Sequence, residues 1–207
     1  MTKYPPKPFS EACERNKAPI LELLRELFAD RRAVLEIGSG TGQHAVHFAA
    51  ALPHLTWHAA DLPPHHEGIR AWLEEAGLPN TRGPWPLDLR GSWPEVEADA
   101  VFSANVLHIV SWALVENFFA GVGARLDRDG LLAVYGPFNY DGRFTSDSNA
   151  RFEQWLKARD PLSGIRDFEA VNTLAAKAGL VLDRDVAMPA NNRLLLWRKL
   201  PATAGRT

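Results

Sequence analysis

One cysteine, Cys13, stands among 207 residues. That excludes an internal disulfide and a cysteine-built zinc cluster. Neither sign of charge is in excess: 23 Lys and Arg face 25 Asp and Glu, for a net charge of −2. Nothing here argues for nucleic acid, which calls for a basic patch or stripe. No apolar run approaches the ~20 residues of a membrane span, and the N-terminus lacks a signal-peptide core. A cytoplasmic protein with no membrane partner is the expectation. Linker composition, repeats and low-complexity segments are also missing, so the chain is expected to form one domain over 1–207. What remains is ordinary for a globular protein, 46% hydrophobic and 23% charged, and long enough for one α/β domain with a full core.

The most informative stretch is Val34-Leu35-Glu36-Ile37-Gly38-Ser39-Gly40-Thr41-Gly42. An apolar run, Ala33 to Ile37, leads into three glycines at alternate positions. A helical pattern follows at once with Gln43, Ala45, Val46, Phe48 and Ala49. Strand, glycine turn and helix N-terminus together form a nucleotide-type site, because glycine lets a ligand approach the backbone and the helix end offers unpaired N–H donors. The dinucleotide fingerprint Gly-x-Gly-x-x-Gly fits at Gly38 and Gly40 but fails at position 43, where Gly or Ala belongs and Gln stands. Glu36 sits inside the strand, where a phosphate gains nothing from an acid and a cationic amine does.

Glu-x-Gly-x-Gly-x-Gly resembles the first motif of class I S-adenosylmethionine (SAM)-dependent methyltransferases. A second acid fits that reading. Asp61 ends the strand pattern Leu55 to Ala60, 19 residues past Gly42. An acid near this spacing at the tip of the second strand holds a ribose diol; the competing reading is an N-cap, since Pro63 and a helical pattern follow.

The wider pattern alternates as a parallel α/β protein does. Residues 1–17 read as an irregular, Pro-rich arm or lid, and 18–200 as the core. A helix is expected over 18–29, then a strand at 33–37 with a helix at 41–51. A strand at 55–60 precedes a helix near 65–76 that stops at Gly77. A poor strand over 81–89 is interrupted by Pro84 and Pro86. Further strands are expected over 98–104 and 131–135, with helices over 111–126, 148–158 and 167–178. The chain closes with Leu180–Val186, a turn, and Arg193–Arg198, an antiparallel hairpin. This resembles the Rossmann-like class I methyltransferase fold: a seven-stranded, mostly parallel sheet with a C-terminal antiparallel hairpin.

Ligands of such sheets lie over the carboxyl ends of the strands. The resemblance places Asp88, in Leu87-Asp88-Leu89, opposite an adenine amino group; otherwise it is a surface acid. Ser103-Ala104-Asn105-Val106-Leu107-His108 resembles the fourth motif of small-molecule methyltransferases. Asn105 can donate and accept. His108 is either a general base or an aligning residue. Phe138 and Tyr140 are candidates for a substrate wall, or simply packed. Asn191 and Asn192 either face the pocket or satisfy their turn. Asn16 is read as a helix cap or part of a lid over the cofactor.

Several segments carry a narrower resemblance: Arg15-Asn16-Lys17-x-Pro19-Ile20-Leu21, Gly40-Thr41-Gly42-Gln43-His44-Ala45, Asn105-Val106-Leu107-His108-Ile109, Tyr135-Gly136-Pro137-Phe138 and Met188-Pro189-Ala190-Asn191-Asn192. They resemble the family once labelled domain of unknown function 938, whose animal members are called methyltransferase-like protein 26. The resemblance implies a SAM site of Asn16, Glu36, Gly38, Ser39, Gly40, Thr41, Gly42, Asp61, Leu62, Leu87, Asp88, Leu89 and Asn105, with His108 and Asn105 as catalytic candidates. It names no substrate. The expected function is methyl transfer to a small or medium-sized acceptor. The alternative is a SAM-binding sensor or partner protein without turnover, and an NAD-dependent oxidoreductase is disfavoured by Gln43. No metal is expected, because the pairs His44/His47 and His65/His66 do not make three or four converging ligands.

Overall fold

The computed structural model describes residues 7–91 and 93–201. Of the arm expected over 1–17, residues 1–6 therefore lie outside the described part. The elements in order are α1 (Glu11–Leu27), β1 (Ala33–Ile37), α2 (Gln43–Ala51), β2 (Thr56–Asp61), α3 (His66–Ala76), β3 (Thr81–Pro86), β4 (Ala100–Ala104), α4 (Trp112–Arg125), β5 (Leu131–Gly136), β6 (Phe138–Asn139), α5 (Asp147–Arg159), β7 (Arg166–Asp167), α6 (Phe168–Lys177), β8 (Leu180–Met188) and β9 (Asn192–Lys199). The seven-stranded sheet has the order β3-β2-β1-β4-β5-β9-β8, and β6 pairs with β7 in a second, two-stranded sheet. The chain divides into two compact units, one ending at Ala104 and one beginning at Asn105.

In the first unit β1 pairs in parallel with β2 and with β4, and β2 with β3. The core strand β1 reads apolar throughout because both of its faces are covered, as parallel sheets require; its one exception is Glu36. Phe48, Trp57 and Phe102 pack ring against ring above it at centroid distances of 5.3 to 5.9 Å. All three are fully buried, a state worth about 1.5–3 kcal/mol for a large apolar side chain.

Two sequence expectations are corrected by the structure. The stretch up to residue 17 is not all irregular, because α1 starts at Glu11. Ser10 caps it by accepting the Cys13 N–H at 3.3 Å, and Glu11 and Glu14 stand in the first turn, where the helix dipole favours acids. Pro19 lies inside the helix. The buried stripe Ile20, Leu21, Leu24, Leu27 offsets the donor that proline lacks. Strand β3 ends at Pro86, short of the expected 89, and its pairing with β2 slips between His58 and Ala60.

In the second unit β9 runs antiparallel to both β5 and β8. The expected hairpin is present; its turn, Pro189–Asn191, passes through left-handed backbone at Ala190 (φ +58°) and Asn191 (φ +57°). Trp197 at its centre is fully buried and donates its indole N–H to Asn172 Oδ1 on α6 at 2.9 Å. The β6–β7 sheet was not expected: two-residue strands leave no periodicity to read.

At Gly42 the chain turns from the glycine loop into α2 with φ +92°. A Cβ there would lie 3.1 Å from Ile69 Cα and 3.2 Å from Trp72 Cβ on α3. Gly42→Ala therefore combines a left-handed backbone with overpacking, and is expected to cost about 2–3 kcal/mol. In a chain of this size that lowers the melting temperature by about 5–10 °C. Calorimetric melting checks it, and a shift below about 2 °C would contradict the close approach.

Candidate functional site

The glycine loop is stitched to the end of β2. Gly38 N–H and Ser39 N–H both donate to Ala60 O, at 2.9 and 3.1 Å, and Ser39 Oγ accepts from Ala60 N–H at 3.1 Å. Gly40 N–H donates to Asp61 Oδ2 at 2.7 Å, and Leu62 N–H donates to Asp61 Oδ1 at 2.7 Å. Asp61 therefore caps no helix: it closes the loop over its own strand. The residue before the Pro63–His65 turn is Leu62, and α3 begins after His65 without a side-chain cap. The N-cap reading of Asp61 is corrected accordingly. Each carboxylate oxygen has received one donor, leaving acceptor capacity for others.

Beneath the loop lies Glu36, 1% exposed. Its Oε2 accepts from Ser39 Oγ at 2.9 Å and from Trp57 Nε1 at 3.1 Å. Burial raises its pKa to about 7, the two hydrogen bonds pull the other way, and the charge of Asp61 adds to the rise. The tip above is open: Gly40 has φ +58°, and a Cβ there would meet no atom within 4 Å. A cavity of about 460 Å³ adjoins it, lined by Gly40, Thr41, Pro8, Pro64, His65 and Gly68 among others.

The remaining expected cofactor residues divide. Leu62, beside Asp61, exposes 37% of its surface, whereas Leu87 and Leu89 are buried. Asp88 is partly exposed and grips Arg90, whose guanidinium lies 2.7 Å away; this holds its carboxyl down at about 2. Asn16 is neither a cap nor at the end of a helix. It is buried inside α1, and its Oδ1 accepts from His44 Nε2 at 2.7 Å. His44 is neutral in consequence of its burial, its pKa held near 4. His66 Nε2 hydrogen-bonds Asp61 O at 2.9 Å. Two residues that bond to this candidate site were given no role in it by the sequence. Trp57 shares the Glu36 carboxylate, and Gln43, noted as a helix residue and as a missing glycine, accepts from both Ser10 N–H and Thr41 Oγ, at 2.6 and 3.0 Å.

The second unit holds the other candidates. Asn105 opens it with φ +60° and donates its N–H to Tyr135 O at 2.9 Å. Asparagine tolerates this left-handed conformation better than most side chains. A Cβ at Gly136 would lie 3.6 Å from His108 Nδ1 and 4.0 Å from Asn105 Oδ1, so β5 ends beside both. His108 is buried against Phe152, 5.4 Å between ring centroids. Burial, with Arg166 nearby, lowers its pKa to about 4. Arg166 is engaged with Leu107 O and Leu162 O, both at 3.0 Å, and with Val110 O. Phe138 is buried, and Tyr140 donates its hydroxyl to Asp185 at 2.7 Å while stacking on Phe168. Asn191 reaches Ser148 Oγ at 3.1 Å, and Asn192 turns back to Pro189 O at 3.2 Å. Asn139 is buried, and its Oδ1 has no hydrogen-bond partner among the described residues.

With this geometry in view, the comparisons are consistent. The chain superimposes on an O-methyltransferase family protein from Burkholderia thailandensis with a TM-score of 0.81 and 18% identity, covering 93% of this chain and 58% of that one. The SAM-dependent methyltransferase SibL in its apo form gives 0.78 and 22%, over 91% and 56%. Human N-acetylserotonin methyltransferase in complex with SAM gives 0.75 and 17%, over 92% and 53%. The fold is thus the Rossmann-like fold of these methyltransferases, and the chain spans little more than half their length. Residues 7–199 match the family described as "Protein of unknown function (DUF938)", and the chain belongs to it.

The Glu36 carboxyl sets a testable pH dependence. Its folded pKa of about 7 lies above the ordinary 4.5, so the native state holds the proton longer than the unfolded chain. Stability from this group is full below pH 4.5 and is lost as pH rises through 7. Denaturation across pH 4 to 8.5 is expected to show Glu36→Gln more stable than wild type above pH 7, by at most about 3 kcal/mol, with the gap closing towards pH 4.5. A constant difference across that range would contradict the raised pKa.

Proposed function

We propose that this protein is a SAM-dependent methyltransferase acting on a small or medium-sized acceptor, of the methyltransferase-like protein 26 type. In this reading the chain works as a single methyltransferase domain, acts in the cytoplasm, and has neither nucleic acid nor membrane as partner. The observation that carries the reading is a glycine loop with an open tip at Gly40, a buried acid below it and a second acid at its edge. The likeness to SAM-dependent folds supports it. Bound SAM supplies a methyl group on a cationic sulfur, which makes that carbon electrophilic.

The chain's own residues divide the remaining work. Asp61 accepts from the ribose hydroxyls with the capacity left after Gly40 and Leu62 have donated. Glu36 favours the cationic amine, directly or through water, and the backbone of Gly38, Ser39, Gly40, Thr41 and Gly42 shapes the space around the methionine end. Leu62 offers apolar surface to the adenine, Leu87 and Leu89 frame it, and Asp88 faces its amino group on releasing Arg90. Asn16, through His44, holds α1 against α2 behind the loop. Asn105 and His108 serve the acceptor. A histidine kept neutral by burial is a poor match for a base working near pH 7, so His108 positions the acceptor through a neutral imidazole.

Two measurements test this. Calorimetry is expected to detect SAM binding by the wild type, with Asp61→Ala weaker by about one to two decades, the worth of charged hydrogen bonds. Wild-type binding with no loss in Asp61→Ala would contradict the ribose role. With labelled SAM and a cell extract supplying the acceptor, His108→Asn is expected to slow methyl transfer by less than about 100-fold, the lower end of general-base effects. Its ratio to wild type should stay flat between about pH 6 and 9. A larger loss that shrinks as pH rises would make His108 the base.

A further inference from the structure

Residues 7–10 lie as a strap across α3, and one side chain ties that strap to the glycine loop. Gly68 makes room for it: a Cβ there would stand 2.5 Å from Pro8 Cγ. Trp72 Nε1 donates to Pro8 O at 2.8 Å. The Lys7 ammonium sits 3.9 Å above the Trp72 ring and pairs with Glu75 at 2.5 Å. At the other end of the strap, Ser10 N–H donates to Gln43 Oε1. The same oxygen accepts from Thr41 Oγ, so both of its acceptor positions are taken. Gln43 Nε2 reaches Glu14 on α1 at 3.4 Å. Thr41 follows Gly40, whose N–H is held by Asp61. Pro8, Gly40 and Thr41 line one cavity together.

A continuous set of contacts thus runs from the strap through Gln43 to Thr41, Gly40 and Asp61. We infer that Gln43 is a positioning residue that couples docking of residues 7–10 to the shape of the glycine loop, so that SAM binding and strap docking favour one another. The inference rests on the proposed SAM site. Coupling of this kind is reciprocal: whatever loosens the strap weakens the ligand, and the ligand tightens the strap. Gln43 stands where a dinucleotide site carries Gly or Ala, and its side chain gives the loop a hydrogen-bonded link that glycine could not.

Three variants separate this coupling from a merely structural role. Trp72→Phe removes the N–H to Pro8 and keeps a ring under Lys7. Gly68→Ala drives Pro8 outward. Gln43→Met keeps the volume and removes the shared acceptor. Melting curves identify which variants fold, and Trp72→Phe, the mildest, serves if another does not. Calorimetry gives SAM affinity, and amide hydrogen exchange reports the strap at Phe9 and Ser10. We expect SAM to slow exchange at Ser10 in the wild type. Trp72→Phe, which keeps the Cβ that faces Gly42, and Gly68→Ala substitute no residue of the loop itself, and both are expected to weaken SAM about fivefold, the factor one net hydrogen bond carries. In Gln43→Met the strap remains on α3, but SAM no longer changes its exchange. Wild-type SAM affinity in both strap variants, with Ser10 exchange indifferent to SAM, would overturn the coupling and leave the SAM site standing. Absence of SAM binding in the wild type would overturn both.

Discussion

A carboxyl group sealed beneath a glycine loop is the constraint on which the first unit depends. Burying an acid is unfavourable unless donors meet it, and Glu36 is met by Ser39 from the loop and Trp57 from the neighbouring strand. Those two bonds fix the start of the loop against β2. They do not suffice to keep the acid in its ordinary range, since burial still carries its pKa to about 7. An apolar side chain would make a more stable strand end. A residue that breaks the local rule without helping the fold is the kind found at functional sites, and here the acid lies below a loop open to a ligand.

The second acid does different work. Asp61 gathers the N–H groups of Gly40 and Leu62, one on each oxygen. The loop therefore keeps its left-handed glycines at φ +78°, +58° and +92° by bonding to a single strand end. Such a loop is pre-organised: its shape precedes the ligand, and less ordering is needed at binding. Gln43 extends the same logic outward, since its one carbonyl serves Thr41 and Ser10 together.

How far the sequence disclosed this varies with the range of the interaction. The strand, glycine turn and helix over 33–51 are local, so apolar pattern and glycine spacing reveal them. Asp61 is visible because the second strand places it at a regular distance. Trp57 is not: it lies 21 residues from Glu36 and meets it only through parallel register. The start of α1 was hidden because Ser10 sits in a proline-rich stretch, where a cap is hard to distinguish from a turn residue. Gln43 was read as the lack of a glycine, and its role depends on Ser10, 33 residues away. His108 was legible as a candidate, but its burial and the nearby Arg166 that lower its pKa were not.

The central claim is that Glu36 is an acid retained for the cationic amine of SAM. The most direct test is calorimetric titration of the protein with SAM at pH 7, in buffers of different ionisation enthalpy, for wild type and Glu36→Gln. A carboxyl titrating near 7 is about half protonated there, and a cation favours its ionised form. The account predicts that the wild type releases about half a proton more per SAM bound than Glu36→Gln does, and binds SAM more tightly. Equal proton exchange and equal affinity in the two proteins would contradict it.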